Sequence, residues 1–190
     1  MKKLVLFDLD GTLVNAGGAG RTALKKTFEE LYGSCPEFEH SLISGRTDTD
    51  NFTLVYGLLK KGKKPTAAEM KKMTAKYLEL LPIEVHAAVR AKHYDLVPGV
   101  EKFLKILQKD PDVILALGTG NLEKGARIKL EPSGLNSFFE LGGFGEDGHT
   151  REDMLLAAVK RAEKKYKTTL KPENIYVIGD THRDIVAAKN

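Results

Sequence analysis

The strongest structural signal in the sequence is Leu4-Val5-Leu6-Phe7-Asp8-Leu9-Asp10-Gly11-Thr12. Its first four residues are all apolar, a pattern typical of a strand that is covered on both faces in a parallel sheet. Asp8 and Asp10 follow directly, and side chains two residues apart on extended backbone point the same way. One carboxylate can then attack an electrophile while the other moves protons. An acidic turn without chemistry is the alternative, since Asp and Gly favour turns.

Two further apolar runs, residues 113–117 and 175–178, have the same strand character. Each ends in small or polar residues, 118–121 after the first run and 179–181 after the second. In open α/β sheets, ligands bind beyond the carboxyl ends of the strands. The three strand ends therefore predict one shared site in an α/β fold built on a parallel sheet.

The long segment between the first two strands has the pattern of helices. Apolar residues at helical spacing stop at Gly33 and again near Gly62. Thr66 and Glu69 then form a capping-box sequence that opens another helix. A single crossover helix needs far fewer residues than this segment contains, which favours an inserted helical unit.

The division of the chain follows from that pattern. We expect residues 17–95 to form the helical insert, and residues 1–16 together with 96–190 to form the parallel-sheet core. The chain ends shortly after Asp184, in what has the pattern of an early helix. A doubly wound sheet normally continues beyond that point, so we expect the core to be truncated at its C-terminus.

Asp180 and Asp184 lie four residues apart after the third apolar run. If Asp184 occupies the first turn of a helix, its carboxylate can lean back towards Asp180. Clustered carboxylates repel one another unless a cation neutralises them, and their hard oxygen ligands suit Mg²⁺. Both residues are therefore candidate metal ligands. An N-cap Asp followed by a solvent-facing Asp is the alternative.

Thr119-Gly120-Asn121 combines a hydroxyl, a side-chain amide and a glycine whose N–H a ligand can approach closely. These donors suit a phosphate oxygen, so we predict that the three residues bind phosphate. Two nearby patterns are misleading. Residues 118–123 imitate a dinucleotide fingerprint but have Glu123 at the third glycine position, and residues 17–22 imitate a P-loop without its lysine.

Composition limits the classes of function. With 42% hydrophobic and 29% charged residues, the chain of 190 residues has an ordinary globular balance. Its net charge of +4 is too thinly spread for nucleic acid, and no apolar run is long enough for a membrane span. The single cysteine, Cys35, suits a reducing compartment and is expected to be an inert packing residue. We therefore expect a soluble, cytoplasmic protein.

The order of these motifs resembles the haloacid dehalogenase superfamily, specifically its phosphatase branch with a helical cap after the first motif. The resemblance implies a three-layer, Rossmann-like parallel-sheet core with an inserted α-helical cap domain. It also implies that Asp8 is the nucleophile forming an aspartyl-phosphate, that Asp10 is the general acid and base, and that Thr119 binds phosphate. The implied Mg²⁺ ligands are Asp8, the backbone carbonyl of Asp10 and Asp180, with Asp184 ligating directly or through water.

The phosphate-binding cation departs from the usual family pattern. The family usually has Lys at the start of the helix before the last motif, whereas this sequence offers Arg151, as a subset of the family does. Arginine can bind phosphate through two hydrogen bonds. A solvent-facing Arg151 is the alternative, with Lys160 or Lys164 as rival cations. We expect His149 and His182 to be exposed loop residues.

Ser44-Gly45-Arg46-Thr47-Asp48 resembles the cap loop that such phosphatases lower over the substrate. Arg46 is accordingly a candidate contact for an anionic group of the substrate. A plain helix N-cap formed by Thr47 or Asp48 explains most of the same residues and stays open.

The function implied by the resemblance is a Mg²⁺-dependent phosphatase of small phosphorylated metabolites, similar to phosphoglycolate phosphatases. Dehalogenases of the superfamily lack the second Asp, so Asp10 favours phosphoryl transfer. The alternatives are a sugar phosphomutase of the same family and a catalytically silent phosphate-binding fragment. The substrate and the oligomeric state are not assigned by the sequence.

Overall fold

The strand that precedes Asp8 lies in the middle of a parallel sheet. The computed structural model describes residues 1–189, apart from the side chain of residue 40. Its strands are Lys3–Phe7 (β1), Val14–Ala16 (β2), Tyr94–Leu96 (β3), Val113–Gly118 (β4), Gly142–Gly143 (β5) and Ile175–Ile178 (β6). Its α-helices are Ala19–Tyr32 (α1), His40–Ile43 (α2), Asp48–Leu59 (α3), Ala67–Arg90 (α4), Val100–Leu107 (α5), Glu123–Leu130 (α6), Arg151–Tyr166 (α7) and His182–Lys189 (α8). Short 3₁₀ helices occupy Glu131–Ser133, Leu135–Phe138 and Pro172–Asn174.

The main sheet has the strand order β5-β4-β1-β6, and its neighbouring strands pair in parallel. At the carboxyl end of β1, Phe7 is in register with Leu117 of β4 and with Ile178 of β6. The residues that follow these three strands therefore emerge side by side. The predicted parallel sheet and its shared edge are confirmed.

Both faces of the sheet are covered by helices. Leu4 and Leu6 of β1 pack in a core with α7 and α8, whereas Val5 and Phe7 pack in a second core with α5 and α6. Side chains alternate between the two faces of a strand, so a continuously apolar strand is the one that can serve both cores. The predicted three-layer α/β core is confirmed.

The helices α1, α3 and α4 build a separate core around Phe28, Phe52 and Tyr77. The predicted capping box of Thr66 and Glu69 begins α4. The antiparallel pair β2–β3 joins the two ends of this helical segment. The division at residues 17 and 95 stays a prediction. No helix within residues 1–189 combines the length and the apolar character needed to cross a bilayer.

The short strands β2, β3 and β5 were not predicted, because two or three residues give no periodicity to recognise. β5 consists of Gly142 and Gly143, which pack closely against α7. A Cβ atom at Gly143 would lie 1.7 Å from the backbone oxygen of Met154. Only glycine therefore lets α7 approach the sheet closely enough for its first residues to reach the site.

We expect Gly143→Ala to lower the free energy of unfolding by about 2–3 kcal/mol, since α7 must move away from β5. Gly57→Ala is the matched control, because Gly57 lies inside α3 and a Cβ there meets only the Lys63 oxygen, at 3.8 Å. Alanine inside a helix is favoured over glycine by about 1 kcal/mol. Thermal unfolding should show a lower Tm for Gly143→Ala and a higher Tm for Gly57→Ala. Equal shifts would contradict the close packing of β5 on α7.

Candidate active site

Asp8 is buried directly after the central strand, where its backbone N–H donates to the Ile178 oxygen at 2.9 Å. The chain turns at Gly11, whose φ of 81° lies in the left-handed region that glycine adopts readily. A Cβ atom at Gly11 would lie 2.4 Å from Oδ2 of Asp180. Gly11 therefore provides both the turn and the space in which the third strand's acidic residue approaches the first strand.

The structure brings Asp8, Asp180 and Asp184 together. One carboxylate oxygen from each lies within 4.8 Å of the others. Asp184 is held in place at the start of α8, because its Oδ2 accepts hydrogen bonds from the Thr181 N–H at 3.1 Å and from the Thr181 hydroxyl at 2.7 Å. Burial raises the pKa of Asp8 to about 6, although Arg151 opposes that shift.

Arg151 inserts its guanidinium into this acidic cluster. Nη2 lies 2.7 Å from Oδ2 of Asp8, and Nε donates to Oδ1 of Asp184 at 2.9 Å. Arg151 is the first residue of α7 because Thr150 and Asp153 form a capping box there. The structure thus places Arg151 beside Asp8, while Lys160 and Lys164 lie further along α7 and are both exposed.

The cluster fits a divalent cation. Its three carboxylates are accompanied by one guanidinium, so the local charge remains negative. Carboxylate oxygens are the ligands that Mg²⁺ prefers. The Asp10 side chain contacts Lys129 and Asn121 and does not join this cluster. The backbone carbonyl of Asp10 is the group that the prediction assigns to the metal. The assignment of the metal ligands stays a prediction.

Asp10 lies in a different environment from Asp8. Its side chain is 48% exposed, and its Oδ2 accepts hydrogen bonds from Lys129 Nζ at 2.7 Å and from Asn121 Nδ2 at 2.9 Å. Lys129 also donates to Asn121 Oδ1 at 2.6 Å. Burial works to lower the pKa of Lys129, but Asp10 and Asp48 outweigh it and the pKa is raised.

Sequence reasoning missed Lys129. The signal was present along α6 and its N-cap, where Leu122, Ala126 and Leu130 form the buried stripe and Lys129 lies three residues after Ala126. A lysine among buried helical positions indicates a paired charge, since an unpaired buried ammonium is costly.

The predicted phosphate-binding loop, residues 119–121, lies at the end of β4 next to Asp10. Thr119 and Asn121 are buried, and Thr119 Oγ1 accepts hydrogen bonds from the Asn121 N–H at 3.3 Å and from its Nδ2 at 2.9 Å. A Cβ atom at Gly120 would lie 2.6 Å from the backbone oxygen of Arg46. The loop therefore meets the backbone of the helical segment directly.

Asp48 completes this contact. Its N–H donates to the Gly120 oxygen at 2.9 Å, and its Oδ2 accepts from the Leu122 N–H at 2.9 Å. Burial, partly offset by Lys129, raises the pKa of Asp48 to about 6. Thr47 is the N-cap of α3, as the alternative interpretation of this loop held, because its hydroxyl accepts from the Asp50 N–H at 3.0 Å.

The carboxylates, the predicted phosphate-binding loop and the helical segment line a cavity of about 450 Å³. Arg46 lines it, is exposed, and donates from Nε to the Leu42 oxygen at 2.9 Å.

His149 is exposed, as predicted, and so is His182, although it is the first residue of α8 and not a loop residue. Cys35 is half-buried, and burial raises its pKa to about 11, which makes its thiol a poor nucleophile.

A family model and solved structures relate the chain to known proteins. The model of a family described as haloacid dehalogenase-like hydrolase matches residues 5–190. A comparison with curated protein sequences finds no match.

Solved structures share the fold at low sequence identity. A predicted phosphoglycolate phosphatase from Haemophilus somnus 129PT is 22% identical with a TM-score of 0.67, covering 99% of this chain and 81% of that one. CbbY from Rhodobacter sphaeroides in complex with phosphate is 18% identical with a TM-score of 0.73, covering 100% and 82%. A predicted phosphatase from Clostridium acetobutylicum is 20% identical with a TM-score of 0.67, covering 98% and 80%.

We expect Asp48→Asn to gain stability relative to the native chain as the pH rises. Folding raises the pKa of Asp48, so its contribution is fully present below the unfolded pKa and is lost as the pH rises through about 6. The amide of the variant does not titrate, but its oxygen can still accept from the Leu122 N–H. The Tm difference between the two proteins, measured in chelator, should therefore grow by a few degrees from pH 4.5 to pH 7.5.

The exposed Asp95→Asn on β3 is the control for that experiment. A Tm difference for Asp48→Asn that stays constant across the pH range would contradict the titration of this half-buried carboxylate.

Proposed function

This chain belongs to the haloacid dehalogenase-like hydrolase family, and from that premise we propose that it is a Mg²⁺-dependent phosphatase of small phosphate monoesters, similar to phosphoglycolate phosphatases. The observation that carries the proposal is the meeting of Asp8, Asp180, Asp184 and Arg151 at the end of the central strand. Such a site offers a nucleophile, a set of metal ligands and a phosphate-binding cation within one cavity. A reducing, cytoplasmic location is part of the proposal.

Asp8 is the proposed nucleophile. One of its carboxylate oxygens attacks phosphorus while the bond from phosphorus to the ester oxygen breaks, which leaves a phosphoryl group on Asp8. Burial keeps this carboxylate poorly hydrated, and a poorly hydrated anion is the better nucleophile.

Asp10 is the proposed general acid and base. It gives a proton to the departing alkoxide oxygen, and it then removes a proton from the water that attacks the phosphoryl group on Asp8. Release of phosphate restores the Asp8 carboxylate. The half-exposed position of Asp10 suits this exchange, because water must reach it in the second step.

The remaining groups stabilise the charge of the transferring phosphoryl oxygens. Thr119, Gly120, Asn121 and Arg151 are the proposed phosphate-binding residues, and most catalysis of phosphoryl transfer comes from such positioning and charge stabilisation. Mg²⁺, when bound by Asp8, Asp180, Asp184 and the Asp10 carbonyl, supplies further positive charge beside these oxygens.

The cap is proposed to select the substrate. Its loop closes over residues 119–121, where Asp48 contacts Gly120 and Leu122. Arg46 lines the same cavity and is the proposed contact for a further anionic group of a small phosphorylated metabolite. Closure of the cap also excludes bulk water from the reacting groups.

We expect Asp8→Asn to abolish hydrolysis of para-nitrophenyl phosphate in the presence of Mg²⁺, with kcat lowered by roughly 10³-fold or more because the amide is no nucleophile. Asp95→Asn should retain the native rate. Phosphate release is the measurement. Equal turnover by Asp8→Asn would end the proposal, and isomerisation of a hexose phosphate without phosphate release would replace it by a phosphomutase.

We expect Arg151→Gln to lower kcat/KM by roughly 10²-fold and to weaken inhibition by inorganic phosphate, since the variant removes a charged donor beside Asp8. Lys164→Gln, on an exposed position of the same helix, is the matched control. Steady-state kinetics with increasing phosphate make the comparison. Unchanged phosphate inhibition in Arg151→Gln would assign the cation role to another residue.

A further inference from the structure

We propose that Lys129 is a positioning residue that fixes Asp10 for proton transfer to the leaving group. The inference rests on the proposed function, since it assigns a role within the same reaction. Its basis is a three-membered arrangement in which Lys129 Nζ lies 2.7 Å from Asp10 Oδ2 and 2.6 Å from Asn121 Oδ1, while Asn121 Nδ2 lies 2.9 Å from Asp10 Oδ2.

The burial of Lys129 requires an explanation. Its side chain is 7% exposed, and an ammonium group removed from water is unfavourable unless opposite charges surround it. The fold also makes room for it, because a Cβ atom at Gly20 would lie 3.2 Å from its Nζ. A lysine on α6 can instead occupy an exposed position and stay hydrated, as Lys124 does.

The geometry suits an acid that must present one particular oxygen. Lys129 and Asn121 both donate to Oδ2 of Asp10, so Oδ1 is the oxygen that carries the transferred proton. In the first step the O–H bond at Oδ1 breaks and the proton forms an O–H bond with the departing alkoxide. Without the two donors, the half-exposed side chain of Asp10 can rotate, and the proton is no longer aimed at the leaving group.

A phosphate-binding role for Lys129 is the rival explanation. Two of the three ammonium hydrogens are already donated to Asp10 and Asn121, which leaves one for any further partner. Arg151, in contrast, lies directly beside the proposed nucleophile Asp8. These contacts favour positioning of Asp10 over direct binding of the transferring group.

The dependence of the rate on the leaving group tests the inference. An alkyl phosphate needs a proton on its leaving oxygen, whereas para-nitrophenolate leaves without one. We expect Lys129→Met to lower kcat/KM by about 10²-fold for 2-phosphoglycolate, or for another alkyl monoester that the native chain hydrolyses, and by less than about tenfold for para-nitrophenyl phosphate. Asp10→Asn should show the same pattern, and the double variant should lose little more than Asp10→Asn alone.

The matched control is Lys124→Met, which removes an exposed lysine from the same helix and should retain native kcat/KM for both substrates. If Lys129→Met fails to fold by its Tm, Lys129→Gln takes its place; its shorter, neutral donor should give the same substrate pattern with a smaller loss for the alkyl monoester. Equal losses for both substrates, or losses that add to those of Asp10→Asn, would overturn the positioning role. Native kinetics in Lys129→Met would overturn it while leaving the proposed function intact, and absence of turnover by the native chain would overturn both.

Discussion

Repulsion among three carboxylates is the constraint on which the site depends. Asp8, Asp180 and Asp184 come within 4.8 Å of one another although each would be more stable apart in water. The parallel sheet forces the first two into proximity, because β1 and β6 end side by side. Arg151 offsets part of the charge, and it reaches the cluster because α7 packs closely on the glycine strand β5. The absence of a Cβ atom at Gly143 therefore helps to place the guanidinium that offsets the charge of the carboxylates.

A second pair of opposite charges, Lys129 and Asp10, lies beside the pair that Arg151 forms with Asp8. Lys129 Nζ lies 2.7 Å from Asp10 Oδ2, and it is also attracted by the charge of the Asp48 carboxylate, which belongs to the cap helix α3. Asp48 in turn hydrogen bonds to Gly120 and Leu122, which follow β4. Core and cap are thus joined through polar groups that are half-buried or buried, where a lost partner costs more than it would at the surface. The cap therefore contacts the core at the predicted phosphate-binding loop, next to Asp10.

The parts of this structure that were predictable are those with a strong local signal. The strands β1, β4 and β6 are continuously apolar, and the capping box at Thr66 begins α4 as its sequence indicates. β5 was not predictable, because two glycines acquire a strand's geometry only from pairing with β4. Lys129 is a harder case. Its neighbours along α6 mark a buried face, but its partner Asp10 lies far away in sequence, and only the tertiary fold brings the two together.

Asp8 and Asp10 carry the same side chain but lie in contrasting environments. Two identical side chains separated by one residue are expected to behave alike, and both line the same cavity. Their surroundings nevertheless differ: Asp8 is buried between two carboxylates and a guanidinium, and Asp10 is half-exposed against an ammonium and an amide. A buried carboxylate among the predicted metal ligands suits attack, and a solvent-accessible carboxylate held through one oxygen suits proton exchange. The division of labour proposed for this pair therefore comes from α6, α7 and α8, which supply the different neighbours, and not from the short motif itself.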